Sequence, residues 1–442
     1  MTSIAHQTTI ARQTKDEQNM PLENHLYSDD LAGNARLKIE LMFEGLRYTP
    51  SLGDAVAHSL PNYSPYRFAK SEPNPTGEMT APIPYMMILG DDTHIRIKGA
   101  SSSGWFVSGD RSQGYALCND DGRRQPVDFE ALPDWMAGKT SDGTPILQSG
   151  VSVHGDMAVV NIAPGCQYFL ADKKEAGKSL RCTFCTYGAP DMRAKNLGQE
   201  LWDVKLPEAS YKRAQDALEA AISAGEIRHI YLVGGSLTDW RQEGLRFIEL
   251  ARRVNETVQG RVPITCGSGA LPKDCIDTLH SEGLVQNITF NLEVWSKDLF
   301  QAVCPGKDRF VGYDNWIASL EYAVELFGRG RVYSAMVAGI ELEPEYGFTP
   351  ETAVDLALRG AEDLCSRGVI PIYSLYWPVG GHEHPDYLSN LKGYFEKLCS
   401  GYASIREQHN LSFHPDFMCH RCAYMQVECD IDRGKHSPAE TI

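Results

Sequence analysis

The chain has no apolar run long enough to cross a bilayer, and its first thirty residues are polar, without the apolar core of a secretory signal. A helical membrane protein and an exported one are therefore not expected. Positive charge is also scarce: 42 Lys and Arg stand against 58 Asp and Glu, for a formal net charge of −16, and no basic stripe is interleaved with aromatics. Such a surface repels phosphate backbones and anionic lipid, so neither nucleic acid nor membrane is expected as a partner. With no export signal the expected compartment is the cytoplasm, where the twelve cysteines read as metal ligands or buried thiols. No structural disulfide is expected.

At 442 residues and 42% apolar content, the chain has material for a large core and two or three domains. Residues 1–30 lack periodicity and read as a disordered leader. Residues 31–155 read as a small α+β region. Asn34 caps a short helix carrying Leu37, Leu41, Met42 and Leu46, and short β-prone runs follow at 85–89, 94–98, 105–108, 115–118 and 146–153. Turn pairs such as Gly90-Asp91 and Asp121-Gly122 separate them.

From 156 to 384 the pattern changes to alternating apolar strands and amphipathic helices, in six β–α units. Continuous apolar strands joined by helical crossovers predict a parallel sheet covered on its outer face, and six units predict a partial (β/α)6 TIM-like barrel. Residues 385–442 read as a long helix and a cysteine-bearing extension. In such barrels the chemistry sits at the C-terminal ends of the strands. Gly234-Gly235, Glu293 and Gly380-Gly381 fall there, as does a cysteine cluster, Cys166, Cys182 and Cys185, with spacing C-x15-C-x2-C.

Thiolates bind soft metals and iron–sulfur clusters, and a closing C-x2-C turn can put two sulfurs on one cluster face. With Cys166 that makes three ligands and leaves a fourth iron open; a zinc half-site is the other reading of C-x2-C. The segment 159–381 resembles a radical S-adenosylmethionine (SAM) enzyme, and 284–381 is similar to the biotin-synthase-like group. The residues that carry the resemblance are Cys182-Thr-Phe-Cys185, Tyr231-Leu-Val-Gly-Gly235, Asn291-Leu-Glu-Val294 and Val303-Cys-Pro-Gly-Lys307. Most members use C-x3-C-x2-C; expanded first spacings occur in 7-carboxy-7-deazaguanine synthases.

The resemblance implies a [4Fe–4S] cluster on Cys166, Cys182 and Cys185, with SAM chelated to the open iron. One electron then cleaves SAM to methionine and a 5′-deoxyadenosyl radical, which abstracts hydrogen from a small-molecule substrate. It further implies that Phe184 covers the cluster, that Gly234, Gly235 and Ser236 receive the SAM amino group, and that Glu293 binds the ribose hydroxyls. Arg309 and Ser334 are weaker candidates for the SAM carboxylate, with a surface or core role as the alternative. For Glu293, an acid within an apolar strand, the alternative is a salt bridge to a neighbouring helix.

The residues between the first two cysteines carry a net charge of +2, from Lys173, Lys174, Lys178 and Arg181 against Asp172 and Glu175. A solvated loop is the ordinary reading; the sharper expectation is a docking surface for an acidic flavodoxin or ferredoxin as electron donor. Near the C-terminus Cys419, Cys422 and Cys429 have spacing C-x2-C-x6-C, with His414 and His420 close by. An auxiliary iron–sulfur cluster and a zinc site are both open, with Cys399, a histidine or substrate completing the set. Tyr376, His382 and Cys304 are weak candidates for catalytic groups at the pocket. A peptide-modifying enzyme of the same superfamily and a non-catalytic iron–sulfur or zinc scaffold are the alternatives to a small-molecule enzyme.

Overall fold

The computed structural model describes residues 31, 33–59, 83–100, 102–169, 180–185, 205–376 and 386–436. The leader at 1–30, Lys173, Lys174, Lys178, Trp377, Gly380, Gly381, His382 and His384 lie outside the described residues, and so do the roles expected of them. Among the described residues, no helix is long and apolar enough to cross a membrane.

Helices α1 (Gly33–Glu44) and α2 (Pro50–Val56) precede a five-stranded antiparallel sheet. Its strands are β1 (Met86–Leu89), β2 (His94–Arg96), β3 (Trp105–Asp110), β4 (Gly114–Asn119) and β5 (Arg124–Phe129), in the order β2-β1-β5-β4-β3. Strand β5 pairs on both sides, Ile88 opposite Asp128 and Ala116 opposite Pro126, yet the sequence does not announce it. Proline and outward-facing charge interrupt the run, and only Val127 and Phe129 turn into the core.

The second sheet has seven strands: β6 (Val151–His154), β7 (Met157–Ala163), β8 (His229–Gly234), β9 (Ile264–Ser268), β10 (Asn287–Phe290), β11 (Val332–Ala338) and β12 (Val369–Leu375). Strands β7 to β12 are parallel and lie side by side in sequence order. The helices that alternate with them are α3 (Glu208–Ala224), α4 (Trp240–Val258), α5 (Lys273–Ser281), α6 (Lys297–Val303), α7 (Pro305–Phe310), α8 (Tyr313–Phe327), α9 (Pro350–Ser366) and α10 (Tyr387–Gln408). This is the expected partial (β/α)6 barrel, with one addition. The run 146–153, grouped by sequence with the small sheet, divides into a 3-10 turn (Ile146–Gln148) and β6, which pairs antiparallel with β7. The Gly155-Asp156 turn fixes that ladder by setting His154 opposite Met157.

Local chemistry sets the helix boundaries. The Asp239 side chain accepts from the amides of Arg241 and Gln242 at the start of α4, and Thr349 with Thr352 forms a capping box ahead of Pro350 at the start of α9. Strands β9 and β10 are buried along their whole length, as expected of central strands covered on both faces. Buried apolar side chains from Ala35 to Ile431 form one contiguous core, each large one contributing about 1.5–3 kcal/mol.

The C-terminal segment closes the open side of the sheet, between edge strands β6 and β12. Tyr424 stacks on His154 of β6 at 5.1 Å, and the Glu428 carboxylate accepts from the Tyr373 amide of β12 at 2.8 Å. Glu428 begins α11 (Glu428–His436), which is pinned to α1 by buried Lys38: its Nζ donates to Asp430 Oδ2 at 2.7 Å and to the Ala423 carbonyl at 2.6 Å. An exposed sheet edge is an aggregation hazard, and this packing covers the edges at that side.

Candidate functional site

At the C-terminal end of β7 the chain turns through Pro164 and Gly165 into Cys166. This turn is seated against the end of β8. The Gly235 amide donates to the Ala163 carbonyl at 2.8 Å, and the Gln167 amide donates to the Ser236 carbonyl at 2.8 Å. A Cβ on Gly235 would stand 2.1 Å from the Gly165 carbonyl oxygen and 2.5 Å from the Cys166 nitrogen. Glycine is thus required at 235 for the first cysteine to take its place. Gln167 adds a second tie, its Oε1 accepting from the Thr238 amide and hydroxyl at 2.9 and 3.0 Å.

The Cys182–Cys185 turn is held from the other side. The Cys185 amide donates to the Cys182 carbonyl at 3.0 Å, and the Thr183 amide donates to the Val303 carbonyl at 2.8 Å. Cys182 is buried and hydrogen-bonded to the Cys304 thiol, which holds the Cys182 pKa below the ordinary thiol value, while burial pushes Cys304 up. Burial pushes the Cys166 thiol up to about 12, with the Cys182 charge adding to it. The segment Cys304-Pro-Gly-Lys307 is therefore wrapped against the cysteines. A Cβ on Gly306 would meet the Leu180 carbonyl oxygen at 2.5 Å and the Tyr168 ring at 2.6 Å.

Glu293 lies just beyond β10 with a left-handed backbone, φ 75°, while still bonded to β11: its amide donates to Ala335 and its carbonyl accepts from Val337. Such a conformation in a non-glycine residue is strained and persists where neighbours hold it. The side chain is ion-paired with Lys307 Nζ at 2.6 Å, and Nζ also donates to the Asn291 carbonyl at 2.5 Å. Burial raises the Glu293 pKa and Lys307 opposes that rise. The alternative of a salt bridge to a neighbouring helix is thus present, beside the cysteines rather than away from them.

The other expected residues take varied positions. Phe184 is half-buried against the core. The Gly235 carbonyl accepts from buried Arg246, which leaves one of its lone pairs for a further donor. Ser334 is fully buried, its hydroxyl accepting from the Leu292 amide at 2.9 Å, a core position. Arg309 is exposed, with its guanidinium over the Phe310 ring. Tyr376 follows β12 at this end of the barrel and is hydrogen-bonded to Glu343.

The sequence reading missed Glu243. This buried acid on the first turn of α4 accepts from the Leu237 amide at 2.8 Å and the Gly269 amide at 2.7 Å, joining the loops after β8 and β9. An acid there looks like an ordinary helix-dipole residue, so its spacing carries no signal.

Cys419 and Cys422 lie together at the opposite end of the barrel, with Asp156 and His229, all four ligand atoms within 4.8 Å of one another. Cys429, expected with them, is on α11 and is not in that group. His414 and His420 turn instead to Asp416 and Asp92.

The strand-end site fits an iron–sulfur cluster by its donor set. None of its three cysteines is in a disulfide, and a close-packed glycine cradle seats the first of them. Among the described residues they are not grouped within 4.8 Å of one another.

No known family's sequence profile matches the chain. Over 260 residues it is 27% identical to a bacteriochlorophyllide c C-7(1)-hydroxylase of Chlorobaculum limnaeum, in a match covering 56% of this chain. The match spans 59% of that relative, less than two thirds of its length. A solved radical SAM methyltransferase from Sphaerobacter thermophilus aligns over 71% of this chain and 77% of its own, with TM-score 0.37 and 15% identity.

Proposed function

We propose that this chain is a radical SAM enzyme acting on a carbon–hydrogen bond of a small molecule. The observation that carries the reading is the assembly of Cys166, Cys182 and Cys185 at the C-terminal end of a parallel barrel, packed between Gly235 and the Cys304–Lys307 turn. When bound to these thiols, a [4Fe–4S] cluster with SAM supplies one-electron cleavage of SAM to the 5′-deoxyadenosyl radical.

The chain's own residues do the positioning. Gly235 admits the Cys166 turn, and Gln167 fixes it to the loop after β8. Glu243 ties that loop to the one after β9, so the rim on which SAM would rest is set by one carboxylate. Lys307 balances the Glu293 charge, which keeps that carboxylate available to accept from ribose hydroxyls without being stranded in the core. Half-buried Phe184 and Tyr376 exclude water near the site, limiting side reactions of a radical.

The relative is named as a hydroxylase of bacteriochlorophyllide c, so pigments of that class are the first small molecules to assay. The electron donor in this reading is an acidic flavodoxin or ferredoxin, and the compartment is the reducing cytoplasm. The test is anaerobic incubation of reconstituted protein with dithionite and SAM, analysed for methionine and 5′-deoxyadenosine. Both products are expected in equal amounts, and Cys182→Ala should form neither. Absence of both from the cluster-loaded wild type would leave a non-catalytic scaffold as the better reading.

A further inference from the structure

The two ends of the barrel are chemically distinct. Cys166 follows the C-terminal end of β7, whereas Asp156 precedes its N-terminal end, and a seven-residue strand separates them by roughly 20 Å. The cluster at the lower end therefore does not belong to the site described above.

Its four residues come from three parts of the chain. Asp156 sits in the β6–β7 turn, His229 opens β8, and Cys419 and Cys422 lie in the C-terminal segment. Their distances are those of ligands around one small ion. With Zn–S about 2.3 Å and Zn–N or Zn–O about 2.0–2.1 Å, tetrahedral bonding puts two sulfurs about 3.8 Å apart, sulfur and oxygen about 3.5 Å, and nitrogen and oxygen about 3.3 Å. The protein has Cys419 Sγ to Cys422 Sγ at 3.8 Å, Cys419 Sγ to Asp156 Oδ1 at 3.2 Å, and His229 Nε2 to Asp156 Oδ1 at 3.5 Å.

A second observation points to a missing ligand partner. His229 is 3% exposed, and its Nε2 has no hydrogen-bond partner of good geometry although it faces the carboxylate. The backbone is also shaped for this approach. Gly155 has φ 59°, and a Cβ there would stand 2.4 Å from the Arg421 carbonyl oxygen and 3.0 Å from the Cys422 nitrogen, so only glycine lets the C-terminal turn reach the barrel.

We propose that Asp156, His229, Cys419 and Cys422 form a closed structural zinc site that fastens the C-terminal segment to the N-terminal end of the barrel. Two thiolates, an imidazole and a carboxylate suit zinc, and four protein ligands leave no open position for chemistry. The edges are too short for thiolates on separate irons of a second cluster. Cys429 is not a ligand.

The test uses the full-length chain purified anaerobically and analysed for metals. Wild type should hold about one zinc per chain beside the iron of its cluster. Cys419→Ala/Cys422→Ala and His229→Ala should each lose the zinc and keep the iron, whereas Cys429→Ala should keep both. Loss of iron instead of zinc in the double variant would overturn the proposal, as would loss of zinc from Cys429→Ala. Should the ligand variants fail to fold, zinc-edge X-ray absorption on wild type decides. Two sulfur and two nitrogen or oxygen scatterers are expected; four sulfurs, or no bound zinc, would refute the site.

Discussion

Glu243 and Lys307 are single side chains on which the candidate active site depends, and neither lies in the cysteine motif. Glu243 accepts from two backbone amides, one on each carboxylate oxygen, so Glu243→Gln turns an amide NH2 toward one of them. A buried donor left without an acceptor costs about 1–3 kcal/mol, and chemical denaturation should show a loss of that size. Lys307→Met strands Glu293, and breaking one half of a buried pair costs about 3–5 kcal/mol. Gly235→Ala tests the cradle itself. The variant should remain folded by circular dichroism yet take up less than half the wild-type iron, because its Cβ occupies the place of the Gly165 carbonyl. The three cysteines could be singled out from type and spacing, because thiol chemistry is carried by the residue itself. Glu243 could not, and Lys307 was marked only as part of Cys-Pro-Gly-Lys without a role, because an acid on a first helical turn and a lysine after Pro-Gly acquire meaning only from what the fold brings opposite them.

At the scale of elements, the barrel was readable because its signals are local. Asp239 and Thr349 cap their helices within a few residues, and most of the parallel strands are short, largely apolar runs. Strand β5 was not readable, since Pro126 and outward charge hide an alternation only two residues deep. Nor was the allegiance of β6, which the turn at Gly155-Asp156 decides. The contact of α1 with α11 spans almost the whole chain and has no local signature. Lys38→Met should lower stability by about 3–5 kcal/mol in denaturant titrations, while Lys38→Met/Asp430→Leu should recover much of that, since neither charge is then stranded. The lysines between the first two cysteines carry a separate expectation. Reversing Lys173, Lys174 and Lys178 to Glu should slow flavodoxin-driven turnover and spare dithionite-driven turnover; equal loss with both donors would remove the docking role.

Across the whole molecule, the C-terminal segment joins parts that the sequence keeps far apart. It covers the sheet edges at β6 and β12, anchors α1, and brings Cys419 and Cys422 to Asp156 and His229. Sequence placed three C-terminal cysteines together because their spacing invites it. The fold keeps two of them and draws the other ligands from residues nearly two hundred or more positions away, which no spacing rule reaches. The opposite end of the same strands holds the chemistry proposed for the chain, and electron paramagnetic resonance tests it most directly. Dithionite-reduced protein should show the signal of a reduced [4Fe–4S] cluster whose g values shift when SAM is added, and the signal should be absent from Cys182→Ala. A reduced-cluster signal that SAM leaves unchanged, or one that survives loss of Cys182, would contradict the account.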